Sequence, residues 1–109
     1  MELITTENND FLVIDFVGKL DTGTAPKAEQ EVNKKLESSS KIIFNLEQTL
    51  FVSSAGLRVF LATAKKLKAA GGIFKICNAN EVVQEILDIS GFSSILEVNG
   101  TLEEALGSN

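Results

Sequence analysis

Lys41-Ile42-Ile43-Phe44-Asn45-Leu46 is the stretch on which the reading of the fold turns. Its centre is apolar without alternation, the pattern of a strand covered on both faces, as in a parallel sheet. Ser38 to Ser40, just before it, read as a solvated loop. Upstream, Ala25, Ala28, Val32 and Leu36 recur at helical spacing over 24–37; Pro26 suits the first turn, and Thr22 or Thr24 can cap it. Further upstream, 3–6 and 11–17 read as strands joined by the polar cluster Glu7-Asn8-Asn9-Asp10, and Gly18-Lys19-Leu20-Asp21 breaks the second. Downstream, Leu57, Phe60, Leu61, Ala64 and Leu67 make one stripe of a helix over 54–70, stopped by Gly71-Gly72 where a left-handed cap is expected. A strand at 73–77 follows, then a helix over 81–89 capped by Asn78 or Asn80, and a strand at 95–98. Thr101 with Glu104 makes a capping box for a last helix over 101–106. Strands alternating with helices after an opening hairpin predict an α/β fold: one domain over 1–109, with a mixed four- to five-stranded sheet packed against α-helices.

Composition excludes several classes of function. The chain has no histidine, so the usual general base and the commonest metal ligand are both missing; neither a metal nor another cofactor is expected. No phosphate-binding glycine loop is present, since Gly71-Gly72 matches neither known spacing. A formal charge of −5 opposes binding to nucleic acid. No apolar run approaches the roughly 20 residues that span a bilayer, and the N-terminus has no signal-peptide pattern. The single cysteine, Cys77, suits a reducing cytoplasm and reads as a buried small hydrophobe. The expectation is a cytoplasmic protein that is not an enzyme.

The segment Val52-Ser53-Ser54-Ala55-Gly56-Leu57 lies where a strand-to-helix loop meets a helix N-terminus, a place that favours negative charge. Two readings of Ser54 stay open on physical grounds. It can cap the helix, worth roughly 1 kcal/mol. Alternatively it can carry a phosphate, which the fold would tolerate and which would transform the surface.

Three stretches together resemble the STAS domains of bacterial anti-sigma-factor antagonists: Gly18-x-Leu20-Asp21-x-x-Thr24-Ala25, Ile42-Ile43-Phe44-Asn45-Leu46 and Phe51-Val52-Ser53-Ser54-Ala55-Gly56-Leu57. The run Leu87-Asp88-Ile89-Ser90-Gly91-Phe92 is similar to the stretch after that family's third helix. The resemblance implies a mixed sheet packed on helices and a partner-switching regulator. Its unphosphorylated form binds an anti-sigma factor that is also a serine kinase of the histidine-kinase-like ATPase fold. Phosphorylation ends that complex, and a metal-dependent serine phosphatase reverses it. The family's acceptor, two residues before the loop glycine, falls on Ser54; Ser53 stands where an aspartate is common and is the second choice. Asp21 matches an aspartate beside this loop that shapes the docking surface, against the alternative of a plain turn residue. Asn45 replaces a common aspartate and reads as structural. The implied partner-binding residues are Asp21, Thr24, Ser53, Gly56, Leu57 and Arg58. Two other classes compete with this one. One is a non-phosphorylated STAS scaffold of a transporter-associated or signalling assembly; the other is a serine hydrolase using Ser54, which the missing histidine opposes.

Overall fold

The computed structural model describes residues 1–107. The sheet begins as a hairpin, β1 (Glu2–Asn8) antiparallel to β2 (Phe11–Leu20), with Asn8 opposite Phe11. Asn9 and Asp10 both have positive φ, 52° and 71°, as a tight two-residue turn matched to strand twist requires. After α1 (Ala25–Leu36), β3 (Lys41–Asn45) pairs in parallel with β2 on one side and β5 (Ile73–Cys77) on the other. The strand expected to be doubly covered is therefore central, and Ile42, Ile43 and Phe44 are fully buried. β6 (Glu97–Asn99) adds to β5, giving the order β1-β2-β3-β5-β6.

The sheet has six strands, not four or five. β3 stops at Asn45, while β2 runs on past Gly18, whose φ of +113° carries a register shift, to Leu20. Those last residues still need a ladder partner. The four-residue β4 (Thr49–Val52) supplies it in parallel, Lys19 opposite Phe51 and Leu20 opposite Val52. The expected strand break at Gly18 is thus a point inside a longer strand, where the register slips because β4 inserts an extra residue, Leu50, between Thr49 and Phe51.

α2 (Ser54–Ala69), α3 (Glu81–Ile89) and the short α4 (Phe92–Ile95), absent from the sequence reading, lead into β6, and α5 (Leu102–Gly107) ends the described chain. α1, α2 and α3 cover one sheet face. The core there is built on Phe44, whose ring centroid lies 4.6 Å from that of Phe16, 5.5 Å from Phe60 and 4.7 Å from Phe74. The buried stripe of α2 is Gly56, Val59, Phe60, Thr63 and Leu67, whereas Leu57, Leu61 and Ala64 are only half-buried. Thr63 can take a core position because its hydroxyl donates to the Val59 carbonyl at 2.7 Å. The opposite sheet face packs Phe11, Val13, Ile43 and Cys77 under Ala105 of α5. Burial pushes the Cys77 thiol up to about 12, in keeping with an inert apolar residue.

The remaining punctuation follows physical expectation. Gly71, at φ +74°, ends α2. Asn80, not Asn78, caps α3 by accepting from the Val83 N–H at 2.8 Å. Asn45 is structural: its Oδ1 accepts from the Glu47 N–H at 3.2 Å and the Asn78 Nδ2 at 3.0 Å. Thr101 and Glu104 form the expected reciprocal box, at 3.1 and 3.2 Å.

Gly56, in the first turn of α2, lies against the strands so closely that a Cβ there would sit 2.7 Å from the Leu20 carbonyl oxygen and 2.8 Å from Val52 Cγ1. Replacing Gly56 with alanine should force the start of α2 off β2 and lower stability by roughly 1–3 kcal/mol. Chemical shifts at Leu20–Thr24 and a urea melt check this; a spectrum unchanged there would contradict the packing. Phe44→Ala empties the centre of the aromatic cluster and should cost about 3–5 kcal/mol, read as a lower urea midpoint at constant slope.

Candidate functional site

Because β2 and β4 are parallel and end in register, the chain leaves both at the same edge of the sheet. The turn after β2 and the loop after β4 are therefore neighbours, tied by the Ser53 N–H donating to the Leu20 carbonyl at 2.9 Å. Such carboxyl ends of parallel strands are the usual place for sites in open α/β sheets.

The two serines have different jobs. Ser53 is extended, at φ −88° and ψ 178°, and its hydroxyl accepts from the Gly56 N–H at 3.4 Å. The capping role considered for Ser54 thus belongs to Ser53. Ser54 is the first helical residue, exposed, and its hydroxyl makes no hydrogen bond among the described residues. A nucleophilic serine needs a base in hydrogen-bond reach. Among the described residues no side chain is hydrogen-bonded to Ser54.

Asp21 is engaged locally. Its Oδ1 accepts from the Gly23 N–H at 3.0 Å and the Thr24 N–H at 3.1 Å. Thr24 sits at the cap position of α1 but makes no side-chain cap bond; its hydroxyl turns back to donate to the Lys19 carbonyl and accepts from the Asp21 N–H, both at 2.9 Å. The pair forms a rigid half-buried turn on the end of β2. This gives Asp21 a definite turn function next to the loop that holds Ser53.

The other expected site residues separate by depth. Gly56 is buried and offers no side chain; it lets the helix approach β2. Leu57 is half-buried against the core, and Arg58 is exposed one turn beyond Ser54. Sequence reasoning missed an apolar rim: Leu50 is 61% and Phe51 41% exposed on β4, which packs against α3, where Val82 is 53% exposed. The overlooked signal is Leu50-Phe51-Val52, three consecutive apolar residues in a strand that buries only its two ends. Among the described residues no three His, Cys, Asp or Glu side chains are grouped to hold a metal, and no helix is long and apolar enough to cross a membrane.

A family model for the STAS domain matches residues 2–105. BtrV of Bordetella bronchiseptica, named as a candidate anti-sigma factor antagonist, is 30% identical over 106 residues, covering 96% of this chain and 91% of that one. Among solved structures, a candidate anti-sigma factor antagonist from Thermotoga maritima superposes with a TM-score of 0.93 at 21% identity, over 97% of this chain and 92% of the other. SpoIIAA of Bacillus, solved in unphosphorylated and phosphorylated forms, superposes with TM-scores of 0.80 and 0.73 at 22% and 21% identity, over 96% of this chain and 93% and 96% of the other. The order of elements read from the residues, the parallel centre of the sheet and a family match over nearly the whole length agree: this chain belongs to the STAS domain family.

Proposed function

We propose that this protein is an anti-sigma factor antagonist, a non-enzymatic cytoplasmic binding protein whose residues 1–109 work as one module. It binds an anti-sigma factor when unmodified and lets go when Ser54 is phosphorylated. The observation that carries this reading is the division of labour between the two serines. Ser53 is spent on the helix cap, and Ser54 is left exposed with an unengaged hydroxyl. A phosphate on Ser54 disturbs no bond of the fold and meets the favourable end of α2. The kinase in this scheme is the anti-sigma factor itself, of the histidine-kinase-like ATPase fold, and a metal-dependent serine phosphatase restores the free hydroxyl. Support for such a cycle also comes from SpoIIAA, which exists in both states.

The docking surface in this reading is the edge where β2 and β4 end. Phe51 and Leu50 supply apolar contact, the Asp21–Thr24 turn and Ser53 set its shape, Gly56 and Leu57 hold the helix in place beneath it, and Arg58 stands at the rim. A dianion placed there must be desolvated on binding or must push the partner away. Mispairing a charge at an interface costs about 2–5 kcal/mol, which lowers affinity roughly 30- to several thousand-fold.

Incubation with the candidate kinase and ATP, followed by mass-spectrometric mapping of phosphate, tests the assignment. Ser54→Ala should bind the kinase yet take no phosphate, and Ser54→Asp should bind weakly. Ser53→Ala should still be labelled while losing about 0.5–2 kcal/mol of stability with its cap. Labelling of Ser54→Ala at the wild-type rate, together with loss of labelling in Ser53→Ala, would move the acceptor by one residue. Labelling indifferent to both changes would remove the phospho-switch. Arg58→Glu should weaken the complex with folding intact; unchanged affinity would place Arg58 outside the interface.

A further inference from the structure

Helix α2 carries Arg58, Lys65, Lys66 and Lys68 and no carboxylate, in a chain whose formal charge is −5. Lys66 is engaged, donating to Asn33 Oδ1 of α1 at 2.7 Å. Arg58 is exposed, and among the described residues its guanidinium has neither an ion pair nor a hydrogen-bond partner. It stands four residues after Ser54 on the same face of the helix, with Cβ atoms about 6 Å apart by helical geometry. Helical side chains lean toward the N-terminus, so the Arg58 side chain covers the turn that begins at Ser54. An acidic group placed N-terminal to its cationic partner is also the better order for such a pair.

We infer that Arg58 is the built-in receptor for a phosphate on Ser54, closing a phosphoserine–arginine pair within α2; this rests on Ser54 being the acceptor. Transfer of the terminal phosphoryl group of ATP forms the Oγ–P bond, and ADP and a proton leave. The guanidinium then donates to two phosphate oxygens, a planar fork that an ammonium cannot reproduce. The modification acts twice at the docking edge. It adds a dianion, and it withdraws the Arg58 cation from the partner.

Competition for Arg58 is weak. α2 has no acid, β4 has no charged residue, and β5 has only Lys75, on the opposite sheet face. The Asp21 carboxylate at the end of β2 accepts the Gly23 and Thr24 N–H groups through Oδ1 and forms no ion pair with Arg58 among the described residues, and Lys19 beside it is a further cation. On α1, Lys27, Glu29, Glu31, Lys34 and Lys35 carry charges of both signs. The contact between Asn33 and Lys66 joins the two helices two turns beyond Arg58.

Phosphoserine installed at position 54 by genetic encoding tests the pair without any kinase. Phosphorus NMR follows the second phosphate ionisation, ordinarily near 6, in the wild-type background, in Arg58→Lys and in Arg58→Ala. Arg58 favours the dianion, so the wild-type value should lie lowest. It should rise by roughly half a unit in Arg58→Ala at low salt, with Arg58→Lys between them. The difference should shrink at about 1 M salt. Equal values in wild type and Arg58→Ala, with both folded by circular dichroism, would overturn the pair. Kinase labelling at a residue other than Ser54 would instead overturn the acceptor assignment, and the ionisation series would still stand on its own.

Discussion

β2 is longer than the strand it lies beside, and the geometry of the site depends on that mismatch. β3 satisfies β2 only as far as Asp15 opposite Asn45. The backbone groups of Gly18, Lys19 and Leu20 would otherwise be stranded over a closed core. β4 pairs with them instead, its extra residue Leu50 taking up the register shift after Gly18. A parallel partner necessarily ends at the same edge, so the turn holding Asp21 and the loop holding Ser53 and Ser54 become neighbours. The close approach at Gly56 then fixes the height of α2 above that edge. A side chain at position 56, or a β3 two residues longer, would separate the two halves of the surface.

Polar groups at the strand ends are paired with similar thoroughness. Thr49 is fully buried, and its hydroxyl donates to the Phe16 carbonyl at 2.7 Å, while Asn80 Nδ2 donates to the Thr49 carbonyl at 3.0 Å. Burial raises the Asp15 carboxyl above its ordinary value, only partly offset by a hydrogen bond with Asn45. On the far face Lys75, 1% exposed, donates to the Ala105 carbonyl at 2.7 Å, pairs with Glu97 at 3.4 Å and lies 5.2 Å from the centroid of the Phe11 ring. Among the described residues no buried side-chain polar atom lacks a partner. The edge carrying Ser54 stands out against this background, since a free hydroxyl, a free guanidinium and exposed Phe51 occur together there.

Much of the fold was legible because long elements follow simple periods. The unalternating Ile42-Ile43-Phe44 run placed β3 at the centre, and Gly71, Asn80 and Thr101 marked helix ends through backbone or side-chain chemistry that a local reading captures. β4 and α4 were hidden because four residues are too few to display a period. The phase of α2 was misjudged in part because Thr63 satisfies itself on Val59 and so passes as core. Lys75 gave no sign of burial, since its partners come from elements 22 and 30 residues away in sequence. At the site, the loop and its serines were readable from type and spacing. The choice of cap was not, because Ser53 and Ser54 differ only in where the first helical turn begins. The apolar rim was not either, since exposure of Leu50 and Phe51 goes with the register shift at Leu50 in a strand that pairs only with β2.

The absence of acid from α2 has a kinetic meaning. Carboxylates lie on other elements, β1, α1, α3 and α5, so α2 is a local basic stripe on an acidic molecule. A partner whose contact surface carries negative potential is turned toward α2 before the two touch, which raises the rate of encounter more than the lifetime of the complex. For the docking surface proposed above, ionic strength would tune how quickly the surfaces find each other, while the shape of the Asp21–Thr24 turn and the exposed Phe51 would govern how long they stay together.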